Sequence, residues 1–215
     1  MSLYSYASVG AAWGDMDRDG NLDLVVSNHW VVESAANPQE GFGDPNQLFH
    51  LGSDGVLSQV LKWPKEQAKA YTFVSSWFDL NDDLWPDLYF SNDYGPIATS
   101  NVALMNSEGK GFTDKTEETW LGASMGAMGI GFGDTNDDGG ADLIISNWGP
   151  IFHYESFGDG TWYQTSSGLM PMVETRAGPY CCYPLWGLAL EDMDNDGDLD
   201  IPLAGGQIMD PVPVA

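Results

Sequence analysis

Short apolar runs recur four times along the chain, each directly after a stretch rich in aspartate. They occupy residues 24–26, 88–90, 143–145 and 201–203, and Ser-Asn follows the first three. Compact β-rich runs bounded by glycine and asparagine are typical of strands buried on both faces. Upstream of each acidic stretch, a segment of small residues carries one large apolar residue two positions before the first aspartate: Trp13, Trp77, Phe132 and Leu190. The pattern predicts four pairs of strands, each pair joined by an acidic loop.

A second hairpin is predicted after each of the first three strand pairs. Residues 46–57, 104–112 and 152–162 each contain two β-rich runs separated by a glycine-containing turn, which is typical of a β-hairpin. The repeating unit is therefore strand, acidic loop, strand, strand, turn, strand. No helical periodicity of any length is present, and residues 65–69 are expected to form one helical turn at most.

The acidic loops are copies of one nonapeptide, at residues 15–23, 79–87, 134–142 and 192–200. Oxygen-bearing side chains stand at positions 1, 3, 5 and 9 of every copy. Ca²⁺ takes six to eight oxygen ligands, and a loop of this kind supplies side chains at alternate positions and a backbone carbonyl at position 7. We therefore predict up to four Ca²⁺ ions, held by Asp15, Asp17, Asp19, Asn21 and Asp23; by Asp79, Asn81, Asp83, Trp85 and Asp87; by Asp134, Asn136, Asp138, Gly140 and Asp142; and by Asp192, Asp194, Asp196, Asp198 and Asp200.

The second loop departs most from this pattern. It has Leu84 at position 6, where glycine normally permits the sharp turn, and Pro86 before its last aspartate. The sequence therefore favours this metal site least.

The spacing of the loops distinguishes between three calcium-binding architectures. Successive nonapeptides begin 64, 55 and 58 residues apart, whereas a calcium β-helix needs them in direct tandem. An EF-hand needs flanking helices and a glutamate at position 12, and that position is Val26, Phe90, Ile145 and Leu203. A four-stranded unit that repeats at this spacing is typical of a β-propeller blade. We predict an all-β propeller, or a partial propeller, of about four blades.

The loops also account for much of the net charge of −25. Seventeen of the 32 acidic residues lie in the nonapeptides, so four Ca²⁺ ions would bring the charge to −17. Contacts to nucleic acids and anionic lipids need lysine and arginine, and the chain has only seven. We expect no nucleic-acid partner. No stretch approaches the roughly 18 apolar residues of a membrane-spanning helix.

The loops and their flanks resemble the FG-GAP/VCBS repeat, the unit of the integrin α-subunit propeller and of many secreted bacterial proteins. The likeness rests on the small-residue lead-ins, the Asp-x-Asx-x-Asp-Gly loops and the Ser-Asn pairs, and it covers nearly the whole chain. From Gly122 to Gly206 the sequence looks most similar to propellers of the cartilage acidic protein (ASPIC/UnbV-associated) type. The resemblance implies a calcium-stabilised propeller that is extracellular, periplasmic or on the cell surface, commonly used in adhesion or ligand binding.

We expect a single propeller domain over residues 1–215. Its repeats lie at about 8–60, 70–119, 123–169 and 183–215, with residues 3–7 as a strand that closes the last unit. Three arrangements are open at this point: a closed ring of four blades, part of a larger ring of about six to eight blades, or half-rings that pair between chains. Open sheet faces invite self-association, and four-bladed rings are the smallest of the class. A part-ring or a self-associating half-ring is therefore favoured.

Catalytic signals are weak. Residues 122–126 match the Gly-x-Ser-x-Gly pattern around Ser124, but that nucleophile needs a strand-to-helix elbow and a histidine partner, and here a strand is predicted to follow. His29, His50 and His153 occupy unrelated positions in their repeats and are interpreted as surface or hairpin residues. The adjacent Cys181 and Cys182 are expected to be free thiols, because a bridge between neighbours is strained.

Aromatic residues near strand ends are candidates for a binding surface. Trp30, Tyr94 and Trp148 follow the second strand of their repeats and, with Tyr180, are expected to line a rim that binds a protein or carbohydrate ligand. Packing between blades is the alternative.

Two functions are kept: a non-enzymatic calcium-binding adhesion or ligand-binding scaffold, and a polysaccharide-active enzyme or its carbohydrate-binding accessory module. The scaffold is favoured, because no cluster of unliganded carboxylate, tyrosine and histidine residues stands out.

Overall fold

The structure is built almost entirely from antiparallel β-strands. The computed structural model describes residues 7–30, 44–60, 64, 70–96, 98–166, 173–175, 178–180 and 184–206. Within these residues the chain forms sixteen strands and one helical turn, which confirms the predicted all-β, propeller-like fold. The first three repeats are each one four-stranded sheet with its strands in sequence order, and we call them blades 1 to 3.

The strand bounds follow the predicted repeating unit. Blade 1 consists of β1 (Ala7–Gly14), β2 (Asp23–Trp30), β3 (Gln47–Leu51) and β4 (Leu57–Gln59). Blade 2 consists of β5 (Tyr71–Phe78), β6 (Asp87–Asp93), β7 (Val102–Asn106) and β8 (Phe112–Asp114). Blade 3 consists of β9 (Ala127–Gly133), β10 (Asp142–Asn147), β11 (Phe152–Ser156) and β12 (Trp162–Ser166).

Two smaller sheets and a helical turn complete the described structure. The turn α1 (Thr116–Thr119) follows β8, and β13 (Val173–Thr175) pairs with β14 (Gly178–Tyr180) in a separate hairpin. In the fourth repeat β15 (Leu185–Leu188) pairs with β16 (Leu203–Gly205), and we call this pair blade 4. The sequence does not predict α1, because four residues are too few to show a helical period.

Each acidic loop joins the first two strands of its repeat, as predicted. The register of that pair is the same in the three complete blades: Trp13 lies opposite Leu24, Trp77 opposite Leu88, and Phe132 opposite Leu143. Residues of different blades can therefore be compared position by position.

Successive blades pack face to face through separate apolar cores. All seven residues of β6 are buried, because blade 1 covers one side of that strand and blade 3 covers the other. The prediction of strands buried on both faces is confirmed here. The cores are formed by Val25, Leu48, Leu88, Phe90, Val102 and Leu104 between blades 1 and 2; by Tyr89, Ala103, Leu121, Leu143, Ile145, Tyr154 and Trp162 between blades 2 and 3; and by Ile144, Ile151 and Leu185 between blades 3 and 4.

Several predictions fall on residues outside the described part of the chain. These are the first four residues of the closing strand at 3–7, the turn at 65–69, Cys181 and Cys182, and the side chains of Trp30 and Tyr180. Among the described residues, α1 is the one helix, and its four residues are far too few to cross a membrane.

Glycine in the inner strands sets how closely two blades approach. A Cβ atom placed on Gly10 would lie 2.7 Å from the backbone oxygen of Phe73 in blade 2. Since that contact is shorter than van der Waals distance and the neighbour is backbone, an alanine at this position must push the two blades apart.

We predict that Gly10→Ala lowers the free energy of unfolding by about 1–3 kcal/mol, the usual cost of overpacking. Chemical denaturation monitored by tryptophan fluorescence measures the change. The control is Gly206→Ala, because a Cβ on Gly206 meets no atom of the described residues within 4 Å. Equal stabilities of the two variants would contradict the proposed steric role of Gly10.

Candidate metal-binding loops

All four acidic loops adopt the same backbone shape. Position 4 has a φ of 58° or 59° in every loop, and position 6 has a φ between 72° and 103°. Position 6 is glycine in three loops, but in the second loop Leu84 takes it with a φ of 72°. This left-handed region is unfavourable for any residue with a Cβ. The second loop thus forms the same turn in spite of its leucine, whose side chain points to solvent (71 % exposed).

The first and fifth side chains of each loop accept hydrogen bonds from the loop backbone. Asp15 Oδ1 accepts the N–H of Asp19 at 3.1 Å, and Asp15 Oδ2 accepts the N–H of Gly20 at 3.0 Å. The equivalent bonds in the other loops are 2.7–3.2 Å long. The carboxylate at position 5 accepts the N–H of position 7 at 2.7–3.0 Å. The loop itself therefore fixes the orientation of these carboxylates.

The ninth aspartate connects the loop to the sheet. Its Oδ2 accepts the N–H of position 2 in all four loops, at 2.8–3.0 Å. Its Oδ1 accepts an N–H of the third strand in blades 1 and 2, from Leu51 to Asp23 (2.9 Å) and from Asn106 to Asp87 (2.7 Å). Asp23, Asp87 and Asp142 are buried. Position 9 is thus buried at the base of the first three loops, whereas the equivalent Asp200 is exposed.

Carboxylate oxygens converge in two of the loops, from positions 1, 3 and 5 in the first loop and from positions 1, 3 and 9 in the fourth. One oxygen from each of Asp15, Asp17 and Asp19 lies within 4.8 Å of the others, and the same holds for Asp192, Asp194 and Asp200. Burial and then repulsion from Asp19 raise the pKa of Asp17. An oxygen-only donor set suits a hard cation such as Ca²⁺.

The other predicted ligands differ in the groups that they offer. In the second and third loops, position 3 is Asn81 or Asn136, whose amide oxygen replaces a carboxylate. Position 7 would contribute its backbone carbonyl. Its N–H already donates to the position 5 carboxylate, in Asn21, Trp85, Gly140 and Asp198.

The loops of blades 1 and 2 also contact the following blade. The carbonyl of Met16, at position 2, accepts a hydrogen bond from Asn106 Nδ2 (2.7 Å), and the equivalent carbonyl of Leu80 accepts one from Trp162 Nε1 (3.1 Å). The guanidinium of Arg18 lies 5.2 Å from the ring centre of Trp85 in the next loop. The loops therefore lie at the joints between blades.

Two histidines approach the loops in a way that the sequence does not predict. His50 Nδ1 lies 2.9 Å from Asp23 Oδ1 and 3.7 Å from Asp17 Oδ2. His153 Nε2 lies 3.1 Å from Thr135 Oγ1 and 3.7 Å from Asp142 Oδ2. Strand pairing could have indicated the first contact, because Leu24 lies opposite Phe49 and this register brings His50 beside Asp23.

The interpretation of His29 as a surface or hairpin residue is wrong. The side chain is buried between blades 1 and 2, with its ring centre 4.1 Å from that of Phe73 and its Nε2 3.4 Å from Asp93 Oδ2. The rim aromatic Tyr94 is half-buried beside it, whereas Trp148 is 57 % exposed. Blade packing thus accounts for Tyr94 but not for the exposed side chain of Trp148.

The pattern around Ser124 belongs to a packed connection between blades 2 and 3. A Cβ on Gly122 would lie 2.7 Å from Thr116 Cγ2, and the N–H of Gly126 donates to Asn147 Oδ1. β9 follows at Ala127, so the segment leads into a strand, as predicted, and not into the helix of a nucleophile elbow.

Asp87 has an unusual protonation equilibrium. Burial raises its pKa from 3.8 to about 7, although both oxygens accept backbone N–H groups. Between these two pH values the folded chain binds more protons at this site than the unfolded chain. In the absence of metal, the group therefore makes the free energy of unfolding fall as the pH rises from about 4 to about 7.

We predict that Asp87→Asn removes this pH dependence. In excess chelator, the free energy of unfolding of the parent should fall more steeply with pH than that of the variant, by at most about 1.4 kcal/mol per pH unit. Urea denaturation at about pH 5, 6 and 7 gives both slopes. Asp54→Asn, in an exposed hairpin turn, should retain the parental slope; the prediction fails if Asp87→Asn retains it as well.

Comparison with known proteins agrees with this geometry. Residues 79–145 match the FG-GAP-like repeat, a span that runs from the first aspartate of the second loop through most of β10 and includes two complete nonapeptides. A search of curated proteins found no match for the chain. The match shows that the chain contains an FG-GAP-like repeat, and the recurring strand–loop–strand geometry of the four repeats supports an FG-GAP repeat protein.

Proposed function

We propose that this protein is a non-enzymatic, calcium-stabilised propeller that works outside the cell as an adhesion or ligand-binding scaffold. FG-GAP repeats indicate a propeller domain often used in adhesion or ligand binding. The observation that carries the calcium proposal is the identical conformation of four loops with different sequences, including the loop with Leu84 at a positive φ. A leucine in the left-handed region is unfavourable by itself, so the presence of Leu84 at this position supports a function that needs the turn.

Calcium would act on the joints between blades. Each loop concentrates four or five aspartates, and their mutual repulsion opposes folding when no cation is present. The loops of blades 1 and 2 hydrogen-bond the next blade through position 2, so a bound ion would stabilise the packing of whole blades as well as the loop. Affinities of about 10⁻⁴ to 10⁻³ M are usual for extracellular modules, which agrees with a location where Ca²⁺ is abundant.

We predict a large calcium-dependent gain in stability. A ligand that binds only the folded state at 100 times its dissociation constant adds about 2.7 kcal/mol per site. Thermal unfolding in excess EDTA, and after addition of Ca²⁺ or Mg²⁺, measures the gain, which should be selective for Ca²⁺. An unfolding temperature that is the same in EDTA and in Ca²⁺ would overturn the proposal.

Single-site variants assign the gain to the loops. Asp17→Ala and Asp194→Ala should each lose about one site's share of the Ca²⁺-dependent stabilisation and should not be less stable than the parent in EDTA, because each removes one repelling charge. Asp54→Ala changes the same residue type in a hairpin turn and should retain the full gain. A full gain in both loop variants would place the ions elsewhere.

A cavity between blades 2 and 3 favours carbohydrate binding as a second candidate function. Its volume is about 770 Å³. Trp120 at its edge is 64 % exposed and has a left-handed φ of 63°, while Glu117 and Gln164 offer polar groups. Aromatic faces stack on the C–H faces of sugars, and carboxylate and amide groups bind hydroxyls. The wall is made of Ser100, Thr116, Glu117, Trp120, Gly122, Ala123, Ser124, Phe152, Tyr154, Trp162, Tyr163 and Gln164.

The chemistry of this wall favours a neutral sugar. Glu117 is its one charged residue, and lysine and arginine are absent among the lining residues, so an anionic sugar would meet no countercharge. The cavity suits a carbohydrate-binding accessory module better than an enzyme of the paired-carboxylate type, since such an enzyme needs two carboxyl groups.

We predict that Trp120→Ala and Glu117→Gln each weaken binding to neutral oligosaccharides at least about tenfold. A glycan array, followed by calorimetry on any hit in saturating Ca²⁺, measures the effect. Trp148→Ala removes an exposed tryptophan outside the cavity and serves as the control. Binding that depends on Trp148 and is indifferent to Trp120 would move the site to the rim.

A further inference from the structure

Blade 1 has an exposed apolar face. In blades 2, 3 and 4 the equivalent face is covered by the preceding blade. Trp13 and Leu22 lie in the first strand and loop of this blade, and they are 53 % and 52 % exposed. We call the side of a blade that is turned toward the preceding blade its front face, and the opposite side its back face.

The equivalents of Trp13 in the other blades show what covers this position. Trp77 of blade 2 lies against Gly14 on the back face of blade 1, and its Nε1–H donates to the carbonyl of Ala12 at 3.2 Å. Phe132 of blade 3 stacks on Phe78 of blade 2, with ring centres 4.1 Å apart and planes 2° from parallel.

Blade 4 follows the same rule. Its Leu190 approaches Gly133 of blade 3: a Cβ atom on that glycine would lie 3.2 Å from Leu190 Cδ1. Leu199, which has the loop position of Leu22, comes within 2.7 Å of the same point. In three of four blades, then, this front-face position packs on the back face of another blade.

The back face of blade 4 is the matching open surface. Gly187 has the register position of Gly10 and Gly129. Each of these glycines lies opposite the residue that is thirteenth when counted from the first aspartate of the loop: Ser27, Ser146 and Ala204. The Cβ positions of Gly10 and Gly129 lie 2.7 to 3.0 Å from backbone atoms of the next blade, whereas that of Gly187 meets no atom within 4 Å in the described part of the chain. Among the described strands, those of blade 4 make no extensive contact with those of blade 1.

We propose that a second copy of this chain covers both surfaces, with the front face of blade 1 of each copy on the back face of blade 4 of the other. The contact continues the blade-to-blade stacking already present within the chain. Trp13 takes the place of Trp77, and Ala189, which occupies the position of Ala12, supplies the carbonyl for its Nε1–H. Two such contacts, related by a twofold axis, join the described blades of the two copies into one ring.

Charge adjusts the strength of this contact. Glu191 occupies the position of Gly14, where the tryptophan ring must lie, and it is exposed. Each copy also carries a net charge of −25 before metal binding. Association therefore requires Ca²⁺ in the loops and becomes tighter as salt screens the remaining repulsion.

The test measures mass in saturating Ca²⁺ by sedimentation at several protein concentrations and two salt concentrations. The proposal expects a species of twice the 23.4 kDa chain mass. Trp13→Ser and Gly187→Val should each weaken the association at least about tenfold, and Glu191→Gly should tighten it. The control Phe157→Ser removes an aromatic side chain that is 57 % exposed in the hairpin turn between β11 and β12 and should associate as the parent does.

Mixing the two weakened variants provides a test that misfolding cannot imitate. Trp13→Ser retains an intact blade 4, and Gly187→Val retains an intact blade 1, so an equimolar mixture should form mixed dimers with one intact contact. A parent that is monomeric at all concentrations, a Trp13→Ser variant that associates like the parent, or a mixture that shows no recovery would each overturn the proposal.

Discussion

The structure depends on one interaction, made by the carboxylate at position 9 of each acidic loop, which is buried in blades 1 to 3 and exposed in blade 4. Its Oδ2 accepts the N–H of position 2 in all four repeats, and in blades 1 and 2 its Oδ1 accepts an N–H of the third strand. One side chain thus closes the loop and ties it to the sheet. In the first loop the carboxylates at positions 1, 3 and 5 converge, and a cation bound there would be held by a loop whose base is already fixed.

Small residues on one face and large residues on the other produce the stacking of blades. Trp77 fits onto Gly14, and Leu190 approaches Gly133, because those glycines leave room for a ring or a branched chain. Blades 2 and 3 use a different solution, in which Phe78 and Phe132 stack. The same geometry thus tolerates different residue pairs, provided that their combined size is similar.

The acidic loops are connected to the interfaces between blades by hydrogen bonds. In blades 1 and 2 the loop accepts a hydrogen bond from the next blade at position 2, so ions at the loops and packing between sheets would stabilise each other. This coupling suits a scaffold that must keep a binding surface in a fixed shape. The cavity between blades 2 and 3 lies on such an interface, and its shape depends on the same packing.

The sequence by itself determined the repeating unit, because apolar runs, glycine-rich turns and alternating aspartates are local signals. The predicted position of each loop, between the first two strands of its repeat, is correct. The three second hairpins are also predicted correctly. Only the tertiary structure decided the rest. Leu84 adopts the left-handed turn although leucine disfavours it, and His50 and His153 reach the loops through strand pairing. His29 and Tyr94 are enclosed by neighbouring blades. The turn at Leu84 is held by hydrogen bonds within its own loop, whereas the surroundings of the three histidines and of Tyr94 depend on contacts between residues that are distant in the chain. No local pattern records which face of a sheet another sheet will cover.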